Sequence, residues 1–447
     1  MAGRPSLRAQ SSAERFVLRR LEYGVLGRTM PHRHDPVRVQ KLALLAGGAV
    51  AAGILVLNAL WGASRHDTIP RDAALVMSQN SGALFVRVDD RLRPVANLTS
   101  ARLILGSPAT PHLIDETALG DVTGGPILGI PGAPRTLGEV VGRSDLRWAV
   151  CDGAGGRTIV VVGGDWSPTE LDAHAAVVVT AAHGDGSVYL VYDGKRAMID
   201  PGDPATARGL HLEGRAVRTV SPTVLNAIPE VPAIGAPRIS GTGQQSAIAG
   251  LPIGTVVRVA LTETPEYYVV LPDGLQRVGR LAVDLIRFAD PAATEIVDVA
   301  PELIARSPLV DALPTATYPD EPPSILEVGE DLCATWQSGR SGIALGSPTG
   351  GGPEPIMLAG ADGDGPGVDA VRMRPGRSLD VTDPPTSARY LITDAGVRFP
   401  VSDSAVAALG LAEPEVAPWV IIGALPAGPE LVRDAALVGR DVLWSAP

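Results

Sequence analysis

Cys151 and Cys333 are the only residues of this 447-residue chain whose type and number promise a definite covalent chemistry. An even count suits a disulfide wherever the compartment is oxidising; two unrelated buried thiols are the alternative. A bond between them would span the 181 intervening residues, stabilising the fold by about 5 kcal/mol in the chain-entropy account. Other motif searches return little. A phosphate cradle needs a glycine loop feeding a helix N-terminus, with a lysine on the phosphates. Gly194-Lys195 is followed by Arg196 in a hairpin turn, and the only other lysine is Lys41. The stretches Gly350 to Gly352 and Gly360 to Gly367 read as loops. The seven histidines (32, 34, 66, 112, 174, 183 and 211) are scattered without metal-ligand spacing, so no metal site is expected. Gly339-Arg-Ser341-Gly342 lacks a spacer for a nucleophile elbow. Asp320-Glu321 and Asp362/Asp364 read as solvated turns. Asn97-Leu-Thr99 has the form of a glycosylation acceptor but is read as carrying no such meaning. No catalytic, cofactor-binding or metal-ligating residue can be named.

The cysteines are positioned by a duplicated frame. Four segments share a strand, an Asp/Gly turn, a second strand and a short helical stretch. They run Leu84 to Asp90 with Leu92 to Val95 and Ala101 to Ile104; Tyr189 to Gly194 with Ala197 to Ile199 and Ala205 to Leu212; Tyr267 to Gly274 with Leu275 to Val278 and Leu281 to Ile286; and Tyr390 to Gly396 with Val397 to Val401 and Ala405 to Leu411. Asp-Gly between apolar runs signals a hairpin, because a type I′ turn needs positive φ at both central residues. Asp90 lies 61 residues before Cys151 and Asp273 lies 60 before Cys333. Each half therefore reads repeat, cysteine-bearing β segment, repeat. A disulfide between equivalent positions would lie near a pseudo-twofold axis, with one central sheet and two repeats at each end of an elongated rod. Pro-rich connections around 228–238 and 311–323 fit the junctions.

Ahead of this frame, Leu42 to Gly62 is a 21-residue run without a formal charge. About 20 apolar residues cross a bilayer core of roughly 30 Å. Residues 1–41 carry nine Arg/Lys against three acids, while the whole chain is −11, leaving −17 for residues 42–447. Positive flanks stay in the cytoplasm, so the N-terminus is expected inside and the acidic bulk outside. A cleaved signal peptide is the alternative, but 41 residues precede the span, far more than a signal's n-region. Ser11-x-x-Glu14 reads as a capping box opening a helix with Val17, Leu18, Leu21 and Val25 on one face and Arg15, Arg19 and Glu22 on the other. Such a helix lies on anionic lipid or docks a cytoplasmic partner. The acidic outer part excludes nucleic-acid binding.

Several stretches together resemble the EccB family, the B component of the mycobacterial ESX (type VII) secretion machinery. They are Gln10, Ser12, Phe16, Arg19 and Arg20; Pro94 to Ile104; Gly129-Ile-Pro-Gly-Ala-Pro134; Trp148-x-x-Cys151-Asp152; Tyr267 to Gly274; Tyr318-Pro-Asp320; Cys333-x-x-Trp336; Ala417-Pro-Trp419; and Gly428-Pro429-x-Leu431. The wording of the repeats leans toward the type-4 system. The resemblance implies an α+β protein with a cytosolic basic segment (1–41) carrying an amphipathic helix, one transmembrane helix (42–62) and a periplasmic domain (63–447). That domain would hold repeats near 80–125, 185–230, 263–310 and 386–440 around a central β domain from about 135–180 and 328–380, with a Cys151–Cys333 disulfide. It implies an inner-membrane location and assembly with EccC, EccD and EccE, with a mycosin protease and with further copies of the chain. Phe16, Arg19 and Arg20 are the expected assembly or membrane-surface residues. Family members also carry an ATPase assignment, hence ATP and Mg as implied ligands, which no pattern in these residues supports. The expected function is a structural core subunit. The alternatives are an ATP-hydrolysing component and, from a likeness of the repeats to a phage-lysin fold, a peptidoglycan-binding membrane protein.

Overall fold

The computed structural model describes residues 7–28, 36–63, 73–115, 119, 125–142, 146–153, 156–163, 166, 168–248, 250–259, 264–290, 295–327, 329, 331–347 and 353–441. His32, His34, His66 and Gly350 to Gly352 lie outside them. The chain divides into two compact units, Met1–Arg71 and Asp72–Pro447.

The first unit holds two helices, Leu7–Val25 and Pro36–Ala63. The second contains the window Val39–Asn58, the one stretch among the described residues long and apolar enough to cross a membrane. The first helix starts at Leu7, so Ser11 sits inside it and does not cap it. Leu7, Arg8, Ala9 and Gln10 are all good helix formers, which carries the helix N-terminally past the apparent capping box. Arg15 instead reaches back to the Ser11 carbonyl at 3.3 Å.

The second unit repeats one supersecondary pattern four times. In the first repeat, Leu75–Ser78, Leu84–Val88 and Arg91–Val95 form an antiparallel meander. Helix Leu98–Leu105 follows; then His112–Ile114 returns parallel to the first strand, and Ile127–Leu128 parallel to the third. The second repeat uses Ala175–Ala181, Val188–Tyr192 and Lys195–Ile199, helix Pro204–Gly209, and returning strands Arg218–Val220 and Glu230–Ile234. The third uses Val256–Val259, Glu266–Leu271 and Gly274–Val278, helix Arg280–Ala289, and strand Ile296–Asp298. The fourth uses Arg377–Thr382, Arg389–Thr393 and Arg398–Pro400, helix Asp403–Leu409, and strand Glu415–Val416.

Turn chemistry sets each hairpin register. Asp89 and Asp90 (φ 50° and 59°) and Asp193 and Gly194 (φ 43° and 71°) form tight turns with both central residues at positive φ. The third hairpin differs from the Asp-Gly expectation. Leu271 pairs with Gly274, so Pro272 and Asp273 form the turn and Gly274 belongs to the strand. Its missing side chain lets the Pro308 carbonyl approach; a Cβ there would lie 2.4 Å from that oxygen. The proline-rich stretch after residue 228 also departs from a plain connection, since Glu230–Ile234 is a strand. It lies at the edge of its sheet, where Pro232 costs no ladder bond.

A seven-stranded sheet joins the repeats. Its order is Ile356–Met357, Ala370–Arg372, Thr158–Val162, Trp148–Asp152, Leu332–Gln337, Arg340–Leu345 and Thr169–Glu170. Two cysteine-bearing hairpins meet back to back at its middle. Every residue of Trp148–Asp152 and Thr158–Val162 is buried, which is why these strands read as unbroken apolar runs rather than as alternation. One face of the sheet packs Trp148, Val150 and Leu332 against the second and fourth repeats, and the other carries Ala149, Cys151, Val161 and Cys333.

Candidate functional site

Cys151 and Cys333 are directly opposed in the register of the two central strands, with Cα atoms 4.0 Å apart, and they are joined in a disulfide. Both are fully buried. Trp148 pairs with Trp336 three residues along the same ladder. The bond thus ties the two halves where their equivalent cysteine-bearing strands pair.

The halves also exchange strands. Glu139–Val141, from the first half, pairs parallel with the first strand of the fourth repeat. Ser324–Ile325, from the second half, pairs parallel with the first strand of the second repeat. Equivalent bonds recur at the two ends: the Leu98 N–H donates to the Arg135 carbonyl, and the Leu281 N–H to the Asp320 carbonyl, both at 3.2 Å.

Stretches that look like unrelated sequence words converge in this frame. Asn97 caps the first repeat's helix by accepting from the Ser100 N–H (2.8 Å), and its amide donates to the Ile130 carbonyl (3.1 Å). The Thr99 hydroxyl donates to the Pro134 carbonyl at 2.7 Å, and the Ser100 hydroxyl accepts from the Ile130 N–H at 3.0 Å. All three residues are buried, so Asn97-Leu-Thr99 is an internal latch onto the 129–135 loop. Its signal was the N-cap itself: Asn before a short apolar helix. At the other end, Tyr192 donates to the Thr317 carbonyl (2.6 Å), and burial holds its phenol protonated well above the usual range. The Tyr318 hydroxyl donates to the Gly235 carbonyl at 3.0 Å, and the Gln276 amide to the Leu313 carbonyl at 2.9 Å. The 311–320 connection therefore binds the second repeat to the third.

Buried carboxylates are accommodated in different ways. Asp380 is fully buried and receives the Arg389 guanidinium as a fork, at 2.7 and 2.5 Å. Asp369, also fully buried, accepts from the backbone N–H groups of Thr158, Asp362 and Gly363 at 2.7 to 2.9 Å. Burial pushes the Asp152 carboxyl above the usual carboxylate range, against the opposing pull of Arg218 and the Ser221 N–H, with Asp331 adding like charge.

The Gly194-Lys195 turn does not fit a nucleotide phosphate. Side chains of Asn97, Asp203 and Ser221 satisfy three helix N-termini, whereas helix Arg280–Ala289, preceded by Gly279, has no side-chain cap. Lys195 sits 3.0 Å from Asp193 and over the Tyr192 ring, and Gly194 is pressed against the Ser341 carbonyl, a Cβ there lying 2.5 Å from it. No group of three or more His, Cys, Asp or Glu among the described residues could hold a metal ion. Two clefts of about 570 Å³ mix acidic and basic linings: one joins Arg147, Glu170 and Arg340, the other Asp200, Asp203 and Arg238.

Phe16, Arg19 and Arg20 lie on the helix of the first unit. Their spacing, continued by Tyr23, places them on one face, opposite the exposed stripe of Val17, Leu18, Leu21 and Val25. Arg19 and Arg20 are exposed and Phe16 is half-buried. Tyr23 extends the expected set Phe16, Arg19 and Arg20 by one residue on the same face.

The family model described as "Type VII secretion system ESX-1, transport TM domain B" matches residues 3–445. A relative from Mycolicibacterium smegmatis, named ESX-3 secretion system ATPase EccB3, is 33% identical over 478 residues, covering 98% of this chain and 92% of the relative. One from Mycobacterium tuberculosis, named ESX-5 secretion system ATPase EccB5, is 31% identical over 485 residues, covering 98% and 94%. Among solved structures, a chain of an intact ESX-5 inner membrane complex superposes with a TM-score of 0.74 at 30% identity, covering 100% of this chain and 98% of that one. A chain of an EccB3 dimer from the ESX-3 core complex gives 0.71 at 31% identity, covering 82% and 100%.

Proposed function

The chain belongs to the EccB family of type VII secretion proteins, and from that premise we propose that it is a structural core subunit of an ESX membrane complex. The observation that carries this is the likeness, over its whole length, to a chain of an ESX-5 inner membrane complex. In this reading Val39–Asn58 spans the inner membrane. The basic segment stays in the cytoplasm, and Asp72–Pro447 works on the periplasmic side. Its partners are EccC, EccD and EccE, a mycosin protease and further copies of itself. The Phe16–Arg19–Arg20–Tyr23 face holds neighbouring cytosolic parts while the aliphatic stripe lies on lipid.

The test is gentle detergent extraction of the tagged full-length chain with identification of co-purifying subunits. Wild type should bring down the C, D and E components, and Arg19→Glu/Arg20→Glu should lose C and D while remaining membrane-inserted. Reversing two charges also weakens lipid contact by about 1 kcal/mol or more per residue, so membrane retention is measured alongside. Normal co-purification of the double variant moves the assembly role away from that face. The names of the relatives favour one further reading, ATP hydrolysis. The scaffold reading expects the purified full-length chain to hydrolyse nucleotide no faster than a mock preparation. Turnover abolished by a point substitution in this chain would replace it.

A further inference from the structure

Resting on the self-association in that reading, we propose that two copies meet through the fourth-repeat face built on Val416, Trp419 and Val420. These three are 44, 43 and 48% exposed, spaced as neighbours on the short element Trp419–Ile422 and the strand before it. The fold does not need their outer surface. Ala417, Ile421 and Ile422, between and after them, are the residues that turn inward and are buried. The indole is held ready: its ring centroid lies 5.6 Å from that of Tyr390, and the Arg398 guanidinium stacks 5.2 Å from it and 5.8 Å from Tyr390. Arg398 is fixed in turn by donating to the Leu425 carbonyl at 3.0 Å. Gly423 backs the element so closely that a Cβ would meet the Trp419 carbonyl at 2.8 Å and its ring at 3.1 Å.

A pre-ordered tryptophan flanked by aliphatic side chains, with an arginine and a tyrosine stacked on it, is the composition of an interface hot spot. It loses little side-chain entropy on docking, because the stack already restrains the ring. The occupant is a second copy because a chain of this fold, 31% identical, is found as a dimer. A twofold contact needs one self-complementary patch; an apolar centre meets that need where the net negative charge of the outer chain would oppose face-to-face pairing elsewhere.

The full-length chain, extracted in detergent, is compared with Trp419→Ser and Val420→Glu by light scattering after size exclusion. Val420→Cys and a control, Leu309→Cys on the exposed third repeat (64% exposed), are tested for oxidative cross-linking. Wild type should run as a dimer or larger assembly. The two interface variants should drop to smaller particles with unchanged circular dichroism, and Val420→Cys should cross-link between copies while Leu309→Cys does not. Variants that keep the wild-type mass, or equal cross-linking at both positions, overturn this surface and leave the subunit reading intact. A monomeric wild type that still co-purifies with the other components overturns self-association, and this surface with it.

Discussion

Asp152 shows how a single carboxylate reports on the frame around it. It ends the central strand Trp148–Asp152 opposite Thr158, and one carboxylate oxygen and the Thr158 hydroxyl are both buried without a hydrogen-bond partner among the described residues. Burial raises its pKa in the folded chain, with Asp331 adding to the effect and Arg218 and the Ser221 N–H opposing it. In the unfolded chain it titrates near pH 3.9. Between that value and the raised one, the folded state holds more proton than the unfolded state. Stability from this group is therefore fully present below about pH 3.9 and is lost as pH rises through the folded pKa. Asp152→Asn should remove that part of the pH dependence, leaving the variant as stable as wild type or more so at neutral pH. Denaturant midpoints measured from about pH 4 to pH 7 check this; a variant whose midpoint follows the wild-type curve throughout would show that Asp152 does not contribute. Asp380 is the contrasting case, buried more completely but paired with Arg389.

At the scale of elements, the latch between helix Leu98–Leu105 and the 129–135 loop has a measurable worth. Asn97→Ala removes an N-cap, costing about 1 kcal/mol, and one of the two hydrogen bonds to the Ile130 carbonyl, which keeps the Ala133 N–H at 3.2 Å; the lost bond adds about 1 kcal/mol. A loss of about 2 kcal/mol in unfolding free energy is expected, whereas Asn97→Ser should recover the cap alone, without the buried carboxylate that Asp would set against the Ile130 carbonyl; equilibrium denaturation of both variants separates the two contributions. This latch was not legible in the sequence, because its partners lie more than 30 residues apart and its polar residues resemble a surface motif. The hairpins were legible, since a two-residue turn and its flanking strands are local facts. So were the central strands, whose apolar runs can belong only to a doubly buried sheet or a helix. Where local reading slipped, a long-range contact decided. Gly274 joins a strand because Pro308 presses on it, and Pro232 sits in a strand because that strand is an edge. The sequence resemblance already groups Phe16, Arg19 and Arg20, and helical spacing alone adds Tyr23 to their face.

At the scale of the whole second unit, the topology makes each half incomplete. The fourth repeat's sheet needs Glu139–Val141 from the first half, and the second repeat's sheet needs Ser324–Ile325 from the second. The first and fourth repeats share one core, with Leu103 and Ile104 against Leu391 and Phe399. The second and third share another, with Leu190 and Leu210 against Leu281 and Leu285. Strand Gly439–Arg440 pairs with Ile127–Leu128 of the first repeat, so the fourth repeat's end closes on the first repeat's sheet. The disulfide adds a covalent tie to halves already interlocked, and the two contributions can be separated. A protease site placed in the exposed 241–245 turn, between the second and third repeats, cuts the connection without touching either shared core. After cleavage the full chain should elute as one particle and run as one species on a denaturing gel until reductant is added. Cys333→Ser costs the uncleaved chain about 5 kcal/mol in the chain-entropy account; in the cleaved chain it removes the covalent link, and the halves should still elute together. Separation of the cleaved Cys333→Ser halves under native conditions would mean that the disulfide, and not strand exchange, holds them. Co-elution means the duplicated frame is assembled by backbone pairing and shared cores, with the bond fixing a register that those contacts already select.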